Sequence, residues 1–183
     1  AGFALRVDFN HLRNQPMATT PVPSNFQPHF KRVSQGDDRH ADLLAVIATL
    51  CGKQINEVRT QAEAVGIPKT GPYYQHIVDG TTLAKILVHF GWVATVWKDC
   101  TSYQDVSDLA IVGVDADLDY EVSRYVLFHR MRSADGKTAQ PYVVDPYPHA
   151  DSRLHTRVGM ADLAGLAPSW YLGLTQMQKA VGK

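Results

Sequence analysis

The chain reads as an α+β domain, with N-terminal helices packed on an antiparallel β-sheet. Three observations predict this. Apolar residues recur at helical spacing in three segments between 41 and 90. From 92 onward they fall in short runs separated by turn residues, as strands and hairpins do. Helices first and strands second is the α+β order, not the alternation that builds a parallel sheet.

Residues 1–32 read as an irregular N-terminal extension, with four prolines within 16–28. The domain proper is placed at 33–183. Its first helix, 41–51, is apolar nearly all round and stops at Gly52. Asp37 and Asp38 stand where a cap and first-turn acids belong. A polar second helix over about 54–65 has Ile55, Val58, Ala62 and Val65 on one face. A loop rich in Gly, Pro and Tyr spans 67–78. Asp79-Gly80-Thr81-Thr82 introduces a third helix, about 82–90, with Leu83, Ile86, Leu87 and Phe90 inward and Gly91 as its stop.

Residues 92–97 alternate as a strand does, and 103–109 reads as a short helix. Strands are expected at 110–115, 122–131 and 140–145, a helical turn at 159–166 and a last strand at 170–175. A turn at Ser133-Ala134-Asp135-Gly136 makes 122–131 and 140–145 a hairpin.

Composition narrows the function. The 183 residues carry 18 basic and 18 acidic side chains, so no electrostatic footprint for nucleic acid is present. No window approaches the roughly 18 continuous apolar residues of a membrane span. Two cysteines, Cys51 and Cys100, do not form a disulfide scaffold. Residues 1–16 lack a basic start followed by an apolar core. A cytoplasmic setting is therefore the default, with a secreted effector as the alternative.

The hairpin carries the chemistry. Tyr125-Val126-Leu127-Phe128-His129 supplies a histidine, and Tyr142-Val143-Val144-Asp145-Pro146 ends in an acid that proline punctuates. In thiol peptidases of the papain type, a carboxylate or amide on one strand orients a histidine on its neighbour, which activates a cysteine on a helix.

The arrangement over 33–175 resembles the bacteriocin-leader-processing (double-glycine) cysteine peptidases, a bacterial branch of the papain-like fold. Gln35 matches the family's oxyanion-stabilising glutamine and Asp38 the acid before its nucleophile. Asp79-Gly80-Thr81-Thr82 matches a family loop, and Asp145-Pro146 the triad acid with its proline. The resemblance implies a papain-like fold and a peptide or protein ligand, with no cofactor or metal.

Two positions depart from that pattern. Counting back from Gly52, the nucleophile position is Arg39, followed by His40. The histidine position ahead of the apolar strand is Arg124. Such arginines would pair with Asp38 or Asp145 in a former active site. Cys51 lies 78 residues before His129, which lies 16 before Asp145, separations an active member of the class would show. Yet Cys51 closes its helix, where the dipole disfavours a thiolate. Strand alternation puts Arg124 and His129 on opposite faces.

Other groupings carry less. Cys100 follows a strand beside Lys98 and Asp99. His149, Asp151 and His155 have loose metal-like spacing without a helical register. Tyr73, Tyr74, Trp92 and Trp97 would line a peptide groove or pack in the core. The expected function is a catalytically degenerate papain-like domain that binds a peptide or protein segment in the former cleft. The alternative is an active thiol hydrolase (peptidase, amidase or glutamine deamidase) using Cys51, His129 and Asp145.

Overall fold

The computed structural model describes residues 26–69, 71, 80–117, 122–149 and 151–178. Helix α1 (Asp42–Cys51) is buried at every residue from Leu43 to Leu50, as a segment apolar all round requires. Gly52 ends it at φ 63°, its amide returning to the Ala48 carbonyl. Glycine takes that left-handed stop without strain.

The start of α1 differs from expectation. Ala41 is the N-cap, and no side chain caps the helix. Asp38 accepts the His40 amide at 3.0 Å and pairs with Arg59 at 3.1 Å instead. Helix α2 (Ile55–Ala64) buries only Val58 and Ala62 and opens with a reciprocal Gln54–Glu57 capping box. Helix α3 (Thr81–His89) turns Leu83, Ile86 and Leu87 inward. Asp79, Tyr73 and Tyr74 lie outside the described residues.

Among the described residues seven strands follow: β1 (Trp92–Ala94), β2 (Lys98–Asp99), β3 (Leu109–Asp117), β4 (Val122–Arg132), β5 (Ala139–Val144), β6 (Thr156–Val158) and β7 (Pro168–Gln176). Every pairing is antiparallel, in the order β1-β7-β3-β4-β5-β6, with β2 also on β7. A short helix, α4 (Met160–Leu163), leads into β7. The architecture is α+β.

Two expected elements fail for identifiable reasons. The strand over 92–97 breaks because the Thr95 hydroxyl, not a backbone carbonyl, receives the Gly173 amide at 3.0 Å, and Val96 swings out to solvent. The helix over 103–109 does not form. Arg130 donates to the Tyr103 and Val106 carbonyls at 2.7 and 3.2 Å, while Tyr103 and Val106 are drawn into a core. Strand β6 is too short to have shown a period.

The sheet separates two cores. On one face Leu127, Tyr142, Val144, Ile111 and Leu172 pack with α1 and α3. On the other, Val126, Phe128, Val143, Val112 and Tyr171 pack with Tyr103, Val106, Leu163 and Leu166.

Residues 26–32, expected outside the domain, are irregular but docked. Phe30 is buried, Phe26 sets its ring 5.2 Å from Tyr142, and the Arg32 guanidinium donates to the carbonyls of Asp145, Pro146 and Tyr147 at 2.6, 3.1 and 2.7 Å. We refer to 26–35 as the strap.

Candidate functional site

Asp145 lies just past the end of β5 and is fully buried. A carboxylate there must be paired and hydrogen-bonded, or the fold would not tolerate it. Arg124 supplies the charge, its Nη1 at 2.6 Å from Oδ2. The Tyr147 amide donates to Oδ1 at 2.9 Å, and His149 Nε2 lies 3.2 Å from Oδ2. Arg124 reaches back with Nε to Asp115 at 2.9 Å. A register break between Val114 and Asp117, with Asp115 at φ 53°, turns that carboxylate toward the arginine.

The start of α1 closes the cluster from the opposite side. Asp42 Oδ2 accepts the Tyr125 amide at 2.8 Å, next to Arg124 in sequence. Burial pushes the Asp42 carboxyl up to about 6, against the opposing pull of the Tyr125 amide and Arg124. The strap completes the wall. The Gln35 amide donates to the Pro146 carbonyl at 3.0 Å, and its buried side chain donates to the Asp38 carbonyl at 3.3 Å.

Five of the residues singled out from the sequence thus have clear places. Gln35, Asp38, Arg124 and Asp145 are drawn to one end of α1 and β4. Arg39 is not part of the ion pair: it is exposed, and its Nε meets His40 Nε2 at 3.3 Å.

His129 and Cys51 are not brought to Asp145. The pairing sets Leu127 opposite Val144 and His129 opposite Tyr142, so counting on places Asp145 opposite Val126. Residues paired across an antiparallel ladder share a face, and neighbours alternate. His129 therefore lies on the α1 face and Asp145 on the other. His129 Nδ1 bonds Tyr142 Oη at 3.0 Å. Cys51 ends the 10-residue α1, which puts it about 14 Å along the axis from Asp42. Burial pushes its thiol up to about 12, offset only in part by Lys53, so it stays protonated at neutral pH. The expected Cys51–His129–Asp145 triad is not assembled at Asp145: the register turns His129 to Tyr142, and the helix direction puts Cys51 at the far end of α1 from Asp42.

The remaining candidates take other roles. Cys100 is buried, its thiol pushed up by burial and by Asp105 and Asp99. Asp151 binds Arg153, and His155 Nε2 meets the His149 carbonyl at 2.9 Å, so these groups do not converge on one point. Trp92 is a core residue, and Trp97 lies 5.8 Å from Tyr125. Open hollows at the α2–α3 surface and around Gln176–Gln178 lie away from Arg124.

Sequence reasoning missed Asp42, Asp115 and Arg32, and grouped His149 with Asp151 and His155 instead of with Asp145. Asp42 was visible as a first-turn acid, and His149 as the residue four beyond Asp145 after Pro146. The bulge that aims Asp115 left no sequence signal.

No helix of the described residues is long and apolar enough to cross a membrane. No known protein-family model matches the chain, and no curated protein sequence does.

Proposed function

We propose that the chain is a papain-like domain that has lost peptidase chemistry and binds a peptide or protein segment beside the former active site. One observation carries this reading. An Arg124–Asp145 ion pair stands where the resembled peptidases place a histidine and its acid. The start of α1, where a nucleophile would gain from the helix dipole, presents the Asp42 carboxyl. Nothing in that constellation attacks a carbonyl. The exposed Asp115 with the half-buried Arg124 behind it, and the exposed Arg39 just ahead of α1, offer donors and acceptors to an extended chain.

The test uses the whole chain with a displayed random peptide library and, in parallel, fluorescein-labelled casein. The expected result is selection of binders, loss of binding in the surface variant Arg39→Glu at unchanged melting temperature, and intact casein. Casein cleavage abolished by Cys51→Ser would overturn the reading, as would failure to select any peptide.

A further inference from the structure

The strap crosses the sheet at one hydroxyl. Tyr142 Oη accepts the His29 amide at 2.9 Å. A phenol has two acceptor positions and one hydrogen to give. With the His29 amide on one acceptor position, the hydroxyl hydrogen is free to point to His129 Nδ1, at 3.0 Å. In that arrangement a neutral His129 holds Nδ1 bare and carries its proton on Nε2.

We propose that Tyr142 and His129 form a proton-sensitive latch that holds the 26–35 strap on the sheet and releases it when His129 takes up a second proton. Imidazolium has hydrogens on both nitrogens, so Nδ1 no longer accepts. Nδ1 and the Tyr142 hydroxyl would then be two donors pointed at each other. The charged ring would also be half-buried, with Phe30 at 5.3 Å, Tyr142 at 5.3 Å and the His29 ring at 5.9 Å.

The charged surroundings favour the neutral ring. Burial, then His29, lower the His129 pKa, and only Asp108 opposes them. Asp108 is itself held by Arg130 at 2.9 Å and by Arg132 at 3.0 Å. From β5 the facing group is Tyr142, and from the strap His29. The sign follows. Above the ordinary histidine value of about 6.5 the latch is intact. As pH falls below it the released state protonates first, and the loss is complete once pH passes the lowered value of the docked ring. The strap carries Arg32 and Gln35 along Asp145–Tyr147, so release would remodel the peptide site; that consequence rests on the proposed function, whereas the latch does not.

The test is amide hydrogen exchange of the unliganded full chain, corrected for intrinsic rates, at about pH 7.5 and about pH 5, a window that brackets histidine titration. Protection of 29–33 should fall at low pH, by about tenfold per pH unit separating the docked and free His129 values, while β3, β4 and β7 keep theirs. His129→Gln, which still accepts from Tyr142 without titrating, should keep the strap protected at both values. Tyr142→Phe should leave it exposed at both. Equal wild-type protection at both values would overturn the latch, as would a pH response that survives His129→Gln. Because no peptide is present, failure here is separate from failure of the peptide-binding reading.

Discussion

At the scale of single residues, the buried Asp145 and the partly buried Asp42 behave in opposite ways. Asp145 is matched by Arg124 and two further donors, so its charge is held in place. Removing one partner of such a pair strands the other. Arg124→Met should therefore lower stability by about 3–5 kcal/mol in urea unfolding. Asp42 receives less, and burial wins over its hydrogen bonds. A carboxyl whose folded value is raised to about 6 from 3.8 stabilises the fold fully at pH below 3.8 and loses that contribution as pH rises through about 6. Ionised Asp42 thus costs about 3 kcal/mol at neutral pH, to order of magnitude. Asp42→Asn, which still accepts from Tyr125, should raise the melting temperature at pH 7, and the gain should vanish near pH 4. Cys51 supplies a third check. With its thiol up near 12, native protein at pH 8 should react with iodoacetamide slowly, and denatured protein quickly.

At the scale of elements, helix α1 was legible almost in full, because an all-apolar segment closed by glycine has few other solutions. Its stop tests simply. Gly52 has open space where a Cβ would go, so the cost of Gly52→Ala comes only from φ 63°. Urea unfolding should show a loss of about 1 kcal/mol. The β4–β5 hairpin was equally legible from its turn and its alternation. The elements misread are those where a side-chain hydrogen bond to a distant part of the chain replaces a local backbone bond. Arg130 takes two carbonyls from the expected helix over 103–109, and Thr95 replaces a ladder bond in the expected strand over 92–97. Arg130 comes from 24 and 27 residues away and the Gly173 amide from 78, and no periodicity records such partners.

At the scale of the whole molecule, the sheet sorts the candidate residues. One register, with Leu127 opposite Val144, sends His129 to the α1 face and Asp145 to the other. Arg124, already at an anomalous position in the sequence, becomes the partner of Asp145, and the strap ties Gln35 to Pro146. The strap is attached through the Tyr142 and Thr49 hydroxyls, the Arg32 contacts and the Gln35 amide. Cleavage by trypsin after Lys31 or Arg32 in native protein should be slow at pH 8, and Tyr142→Phe should speed it, with fragments on a gel as the readout.

The sequence by itself determined the α+β class, the buried α1 and its stop, and the hairpin. These are set by periods of a few residues and by turn chemistry, which act locally. Only the tertiary structure decided which carboxylate meets which arginine, that Cys51 and His129 stand apart from Asp145, and that residues 26–32 belong to the fold. Those outcomes depend on sheet register and on side chains reaching across more than a hundred residues, as Arg32 does to Asp145. A one-residue slip would have reversed every face, and nothing in a local pattern records it.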